Sequence, residues 1–326
     1  MLVSNDDGER ALNDWTTATD PQLTRFRMAT VGAPDLAAIE GQYGEWLGYH
    51  VREHGEISAD LAASWDAPAM AGRPFIVMSG DGAPDDYIRA VEITPVPDYK
   101  ALTTFGWAAF EIIVDDVFAV DARLRQSGFE IIAGPTPLQF MPSIVAMQAI
   151  GPAGECLYFT MESGDRETSI LPKPRGFVDR PFIFVIAGAD FDALRLWYCD
   201  RFDLKRRPLR KSKIRIIQEA QGLTPDTIMD MTTAGLREFG YLLEFDAYPT
   251  GPDRIAGPRP CTPGELPPGC AMASFGVTDI NLIADVAITP AVARSGAGYD
   301  GCLSATAIGP AGERVEFIED PKGTGI

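Results

Sequence analysis

Histidine is nearly absent: there are two in 326 residues, at positions 50 and 54. A Ser-His or Cys-His nucleophilic pair, or a histidine-rich metal site, has only these to draw on. Cysteine is scarce and scattered, five at positions 156, 199, 261, 270 and 302 with no CxxC pair. That excludes a disulfide framework and a zinc knuckle and leaves the cysteines as small buried apolar residues. Cationic charge is short as well, 28 Lys and Arg against 46 Asp and Glu, for a net charge of −18. The resulting field repels polyanions, so neither nucleic acid nor an anionic membrane is an expected partner. No apolar run reaches the roughly 18–20 residues a membrane helix requires. The opening MLVSNDDGERALNDWTTATDPQ lacks the basic and apolar regions of a leader, and the expectation is a cytoplasmic protein. No GxSxG elbow is present, and SGDGAPDD at 79–86 lacks the spacing of a calcium or phosphate loop and reads as a turn.

What is present is an ordinary globular composition, 46% apolar and 10% aromatic, with a length suited to two domains. Those domains are duplicates. AIGPAGECLYFTMES at 149–163 recurs as AIGPAGERVEFIED at 307–320, and Asp35, Tyr43 and Leu47 recur as Asp190, Tyr198 and Phe202. RAVEITP at 89–95 is echoed by YLLEFDAYP at 241–249, which sets Glu92 against Glu244. The expected organisation is a flexible arm over 1–24, a first module over 25–163, a proline-containing linker over 164–180, a second module over 181–320 and a tail over 321–326. Within the first module, RFRMATV alternates as a strand, DLAAIEGQYGEWLG has helical spacing, and YHVREH, PFIVMSG and DYIRAVEIT are strands. The order β-α-β-β-β then repeats from FGWAAFEIIV to CLYFTME. The second module is shorter between Val286 and Thr306, which removes about one strand, and longer over 249–269, a seven-proline loop suited to a lid or a disordered segment.

MATVGAPDLAAIEGQYGEWLGY, AAFEIIVDDVFAVDARLRQSGF and the two GPAGE turns resemble the vicinal oxygen chelate superfamily, which includes glyoxalase I, extradiol dioxygenases and bleomycin-resistance proteins. The resemblance covers about 25–163 and 181–320. It implies an α+β fold: tandem modules of paired βαβββ units, each curled into an incomplete barrel around a cavity with helices outside. In metal-using members two histidines and a glutamate reach the metal from three strands. At the corresponding places stand Met28, Trp107 and Tyr158 in the first module, and Ile183, a residue near Gly276 and Glu316 in the second. Only Glu316 is of ligand type, so neither a metal nor a cofactor is expected. His50 and His54 do not replace the lost ligands together, since four residues along a strand span roughly 13 Å.

Strand alternation turns Tyr49 and Val51 toward the helix and His50, Arg52 and His54 toward the cavity of the first module. By the same rule Met28, Thr30, Trp107, Ala109, Glu111, Cys156, Tyr158 and Thr160 line it, giving apolar and aromatic walls with a few ionisable groups. Glu111 among aromatics has the makings of a general base with a raised pKa, unless Arg52 or Arg89 pairs with it. His50 and His54 are further acid–base candidates or exposed edge-strand residues. Tyr158 and Arg52 are candidates to stabilise developing negative charge. KRRPLRKSKIR, 205–215, holds seven basic residues in eleven; it either grips an anionic ligand or is a hairpin that balances the acidic surface. The leading expectation is a metal-independent lyase or isomerase acting on an aromatic or apolar small molecule. The alternative is a non-catalytic binding or sequestering protein, and the third reading is a dioxygenase-like enzyme with unusual ligands around Glu316. Because the tandem form supplies a module interface internally, both a monomer and a homodimer are compatible with it.

Overall fold

The computed structural model describes residues 20–139 and 141–320. The arm expected at the N-terminus falls outside them up to residue 19, as does the tail. The chain forms four successive units. The first is β1 (Leu23–Ala33), α1 (Leu36–Gln42, continued by a wider turn over Tyr43–Leu47), β2 (Tyr49–Glu56), α2 (Ala59–Ser64), β3 (Pro74–Gly80) and β4 (Tyr87–Glu92). The second is β5 (Gly106–Val114), α3 (Val117–Leu124), β6 (Glu130–Leu138), β7 (Met141–Ile150) and β8 (Cys156–Glu162). The third is β9 (Val178–Gly188), α4 (Phe191–Arg201), β10 (Lys205–Arg206), β11 (Arg210–Ser212), α5 (Arg215–Gln221), β12 (Met229–Gly235) and β13 (Leu242–Ala247). The fourth is β14 (Gly269–Val277), a short helical turn over Ile280–Ile283, β15 (Val292–Ala293), β16 (Leu303–Ile308) and β17 (Arg314–Glu319).

Each unit opens the same way. A long strand ends, and an aspartate turns the chain into the helical segment by accepting a backbone N–H two or three residues on: Asp35, Asp116, Asp190 and Asp279. Such a cap satisfies a donor that the first helical turn leaves open. In the fourth unit the helix shrinks to one turn and the next strand to two residues. The shortening expected between Val286 and Thr306 therefore cuts a strand to two residues without removing it, and the helix before it is reduced as well.

The GPAGE turns are held from a distance. Tyr43 donates its hydroxyl to the Glu155 carboxyl at 2.7 Å, which also accepts the Ala153 N–H. Tyr198 does the same for Glu313, again at 2.7 Å, with the Ala311 N–H. The two motifs that reveal the duplication are thus one repeated contact, helix to turn.

Sheet pairing crosses the repeat boundary. One sheet runs β15-β16-β17-β14-β1-β4-β3-β2, and the other β10-β12-β13-β9-β5-β8-β7-β6 with β11 also on β12. The outer units share the first sheet and the inner units share the second. The expectation that residues 25–163 close around a cavity of their own is corrected by this pairing. The duplicated units offer β1 chemically similar partners, and local sequence carries no term that chooses β14 over β5. Helices α1, α3 and α4 pack on the backs of the sheets in a common core, where Phe26 stacks on Phe184 with ring centroids 3.8 Å apart, while α2 and α5 join the apolar clusters of the concave faces. Separate apolar clusters fill the two concave faces.

The proline-rich segment 249–269 is a strap. Gly257 exchanges backbone hydrogen bonds with Phe105 and Thr103, Arg259 reaches the Thr104 hydroxyl and the Trp107 carbonyl, and Leu266 is buried. Cys156, Cys199 and Cys270 are buried as expected, whereas Cys261 is exposed. No helix among the described residues is long and apolar enough to cross a membrane.

Candidate functional site

Residues opposite one another across a ladder point to the same side of a sheet, which makes the concave faces legible from register. In the first sheet Thr30 lies opposite Arg89, and Ser274 opposite Glu316. In the second, Val185 lies opposite Glu244, and Glu111 opposite Tyr158. The duplication maps one set on the other: Thr30 on Val185, Arg89 on Glu244, Ser274 on Glu111 and Glu316 on Tyr158. The ladder therefore corrects the alignment of Glu92 with Glu244. Glu92 instead pairs with Arg73.

The first concave face is closed. Glu316 accepts Trp65 Nε1 at 3.0 Å and Tyr299 Oη at 2.6 Å on one oxygen, and Ser274 Oγ at 2.6 Å and Arg89 Nη2 at 3.1 Å on the other. Arg89 also donates to Tyr299 Oη and Thr30 Oγ1, and its guanidinium lies 4.6 Å from the Trp65 ring centroid. Burial pushes the Glu316 carboxyl up, but Arg89 and the hydrogen bonds from Ser274, Tyr299 and Trp65 overcome it and hold the group below its ordinary range. With both oxygens doubly occupied and a guanidinium at its side, this carboxylate does not fit the role of metal ligand. Met28 and Thr30 belong to this face, and both are buried.

The second concave face differs. Its apolar wall includes Ala109, Ile113, Cys156, Ile183, Val185 and Leu242. Glu111, Glu244 and Asp246 stand on it with Tyr158, Thr160 and Tyr248. Among the described residues no cation lies within ion-pair distance of Glu111; Arg89, one suggested partner, is committed to Glu316, and Arg52 bonds Ser79. Burial pushes Glu111 up to about 7, with the Thr160 hydroxyl pulling the other way. Asp246 is pushed up to about 7 by burial, and its Oδ1 has no hydrogen-bond partner. Glu244 is raised well above its ordinary value by burial, Asp246 and Glu111, against the pull of Arg210. Tyr158 and Glu244 are half-buried and so connect this cluster to solvent. No three His, Cys, Asp or Glu side chains among the described residues converge in the manner of a metal site.

Of the residues that sequence placed around one cavity, Ala109, Glu111, Cys156, Tyr158 and Thr160 are together here. Met28 and Thr30 are in the other sheet. Trp107 is on neither concave face: a register shift between Trp107 and Ala109 inverts the alternation, sends the indole into the core between the sheets, and lets Nε1 donate to the Arg314 carbonyl at 2.8 Å. His50, Arg52 and His54 are exposed on edge strand β2, His50 beside Asp81 at 3.2 Å. A register shift between Val51 and Glu53 breaks their alternation too, and they stand on the first sheet, apart from Glu111. Sequence reasoning missed Glu244 and Asp246 as site residues. The signal was present in LLEFDA, where Leu242, Glu244 and Asp246 alternate onto one face.

Four Asp-capped βαβββ units, paired outer with outer and inner with inner into two curved sheets, define the tandem form of the vicinal oxygen chelate fold. Among solved structures the chain is similar to glyoxalase I from Zea mays, with a TM-score of 0.58, 16% identity, and 90% of this chain and 92% of that one covered. It is also similar to a proposed dioxygenase from Bacillus subtilis subsp. subtilis str. 168, with a TM-score of 0.61, 12% identity, and coverage of 93% and 87%. At these identities the likeness is one of fold. No protein-family model and no curated protein matches the chain.

Proposed function

We propose that the protein is a metal-independent enzyme of the lyase or isomerase type, moving a proton on an aromatic or apolar small molecule seated on the concave face of the second sheet. The observation that carries this reading is Glu111: a carboxyl in an apolar wall, without a cationic partner among the described residues, poised at about 7. A base with that pKa is half ionised near neutral pH, where proton abstraction is most efficient. Glu111 would take a proton from carbon next to a carbonyl. The electron pair would move onto the carbonyl oxygen, where Tyr158, opposite Glu111 on the neighbouring strand, would donate a hydrogen bond. Return of the proton to another carbon completes an isomerisation, and expulsion of a group from the next carbon completes an elimination.

The test is solvent exchange. The full chain is incubated in D2O with a panel of aryl and alkyl ketones, and loss of the α-proton signals is followed by NMR. Exchange should rise as pH passes through about 7. Glu111→Gln should lower it by about 100-fold or more, the usual contribution of a positioned base. Equal rates in both proteins would eliminate Glu111 as the base. Binding of the probes without exchange would support the sequestering reading, which the exposure of both histidines already favours.

A further inference from the structure

The strand order β2-β3-β4-β1 of the first unit matches β10-β12-β13-β9 of the third, and in both a helix is inserted before the strand next to the edge. The first insertion is 57–73, with α2; the second is 213–228, with α5. Residues Leu61, Ala62, Trp65 and Met70 of the first are buried in the apolar cluster of the first concave face, and Ile216 and Ile217 of the second in that of the second face. The wall that α5 packs against is buried too, at Ala109, Ile183, Val185 and Leu242. A ligand seated on that wall therefore needs a cover that moves.

The two covers are fastened differently. Insertion 57–73 is bonded to the floor beneath it and to the strands around it. Trp65 Nε1 donates to Glu316 at 3.0 Å, Arg314 donates to the carbonyls of Trp65 at 2.6 Å and Asp66 at 3.1 Å, Arg294 pairs with Asp60 at 2.6 Å, and the Ala69 N–H donates to the Gly264 carbonyl at 2.9 Å. Insertion 213–228 has two hydrogen bonds to the other units among the described residues: Lys100 Nζ donates to the Ala220 carbonyl at 2.7 Å, and Gln221 Nε2 to the Leu102 carbonyl at 2.8 Å. Neither involves Glu111, Tyr158, Glu244 or Asp246. Its ion pairs are internal, Lys213 with Asp226 at 2.8 Å and Arg215 with Glu219 at 3.0 Å, so they travel with the segment. With Lys211 on Asp230 and Arg206 on Asp200, they make the basic run 205–215 mostly the charge-balancing hairpin that its composition suggests.

From this contrast we propose that α5 is the lid of the second concave face, turning about Gly222 to let the ligand take the place of Ile216 and Ile217, while α2 is its fixed counterpart. The inference rests on the reading of this face as the ligand site, and adds how the ligand enters it. Gly222 ends α5 at φ +63°, and a Cβ added there would meet nothing within 4 Å, so the chain can turn at this point without pushing on a neighbour. The turn that receives Gln221 is strained. Leu102 holds φ +63°, a left-handed conformation that is costly for leucine and is free to relax once Gln221 lets go.

The test is amide hydrogen exchange of the full chain followed by NMR, each rate being divided by that of the unstructured chain. It compares Gln218 and Leu223, bonded to the carbonyls of Ile214 and Gln218, with Ala62 and Trp65, bonded to those of Ser58 and Leu61. The α5 pair should be about tenfold less protected or more, because it opens locally while the α2 pair opens only with the fold. Lys100→Ala removes one charge-assisted bond from an exposed side chain and should speed the α5 pair about tenfold again, leaving the α2 pair as it was. Trp65→Phe should do the reverse. Bound 4-phenyl-2-butanone, which keeps the lid displaced, should lower the protection of the α5 pair alone. Equal protection of the two helices would overturn the lid, as would an α5 pair that neither Lys100→Ala nor the bound ketone speeds. No binding of the ketone at millimolar concentration would overturn the lid and the ligand site together. A lid that passes each of these tests, alongside equal proton exchange in the wild type and Glu111→Gln, would stand while the catalytic reading falls.

Discussion

The two concave faces descend from one framework and hold opposite chemistry. In the first, Arg89 faces Glu316, whose two oxygens are filled by Trp65, Tyr299, Ser274 and Arg89, while Arg89 also bonds Thr30 and Tyr299. In the second, the same ladder positions hold Glu244 and Tyr158, with Glu111 between the strands and no cation within ion-pair distance of it among the described residues. A buried ion pair satisfied on every side is a rigid, inert plug. Carboxyls that burial holds near neutrality are reactive and cost stability. Duplication lets one face carry structure while the other retains groups that a single face would have to neutralise.

The largest expected effect tests the closed face. Glu316→Leu leaves Arg89 buried without its counter-charge and should lower stability by about 3–5 kcal/mol, seen as a lower denaturation midpoint. Adding Arg89→Met should recover most of the loss, because it removes the stranded charge. A single substitution costing under about 1 kcal/mol, the range of exposed pairs, would show that the pair is not the plug described.

The second face should declare itself through pH. Glu111 has an ordinary value of 4.5 and is raised to about 7, and Asp246 is raised from 3.8 to about 7. Between those values the unfolded chain releases protons that the folded chain keeps, so each group makes stability fall as pH rises toward 7. Glu111→Gln should match the wild type near pH 4 and exceed it at pH 8 by about 1–3 kcal/mol, since every tenfold gain in proton affinity on folding is worth about 1.4 kcal/mol. Thermal melts at the two pH values measure this, and a variant less stable than the wild type at pH 8 would contradict the assigned state of Glu111. Glu155 and Glu313, also raised to about 7 by burial, contribute the same slope to both proteins and cancel from the comparison.

Much of this was legible in the sequence, and the limits have physical causes. Repeats and alternation gave the units, because they are written in short stretches of sequence, and the resemblance implied the fold. Glu111, Tyr158 and Thr160 were placed on a shared face because the pairing of β5 with β8 is regular where those residues sit. Trp107 and Arg52 were misplaced where register shifts break the period of two, and such a break leaves no mark in composition. The partition of the site between sheets was hidden for a different reason. Pairing of β1 with β14 is decided by the whole duplicated chain, so Met28 and Thr30 looked like neighbours of Glu111. Glu316 was singled out correctly as the one residue of ligand type, but its capture by Arg89 depends on a contact across 227 residues.

The smallest effect sharpens the comparison by locating where it stops. If only the concave faces have diverged, the frame beneath them should still respond as two copies of one thing. Tyr43→Phe and Tyr198→Phe each remove one hydroxyl, and each takes one donor from a buried carboxyl in a GPAGE turn, Glu155 or Glu313. Both should cost about 1 kcal/mol, the net value of such a bond. The costs should be equal, and in the double variant additive, since the turns are separate and share no partner. Denaturation midpoints of the three variants read this directly. A loss at Tyr198 clearly different from that at Tyr43 would place divergence in the frame itself, and the contrast between the faces would then follow from how each half is held together as well as from which side chains it carries.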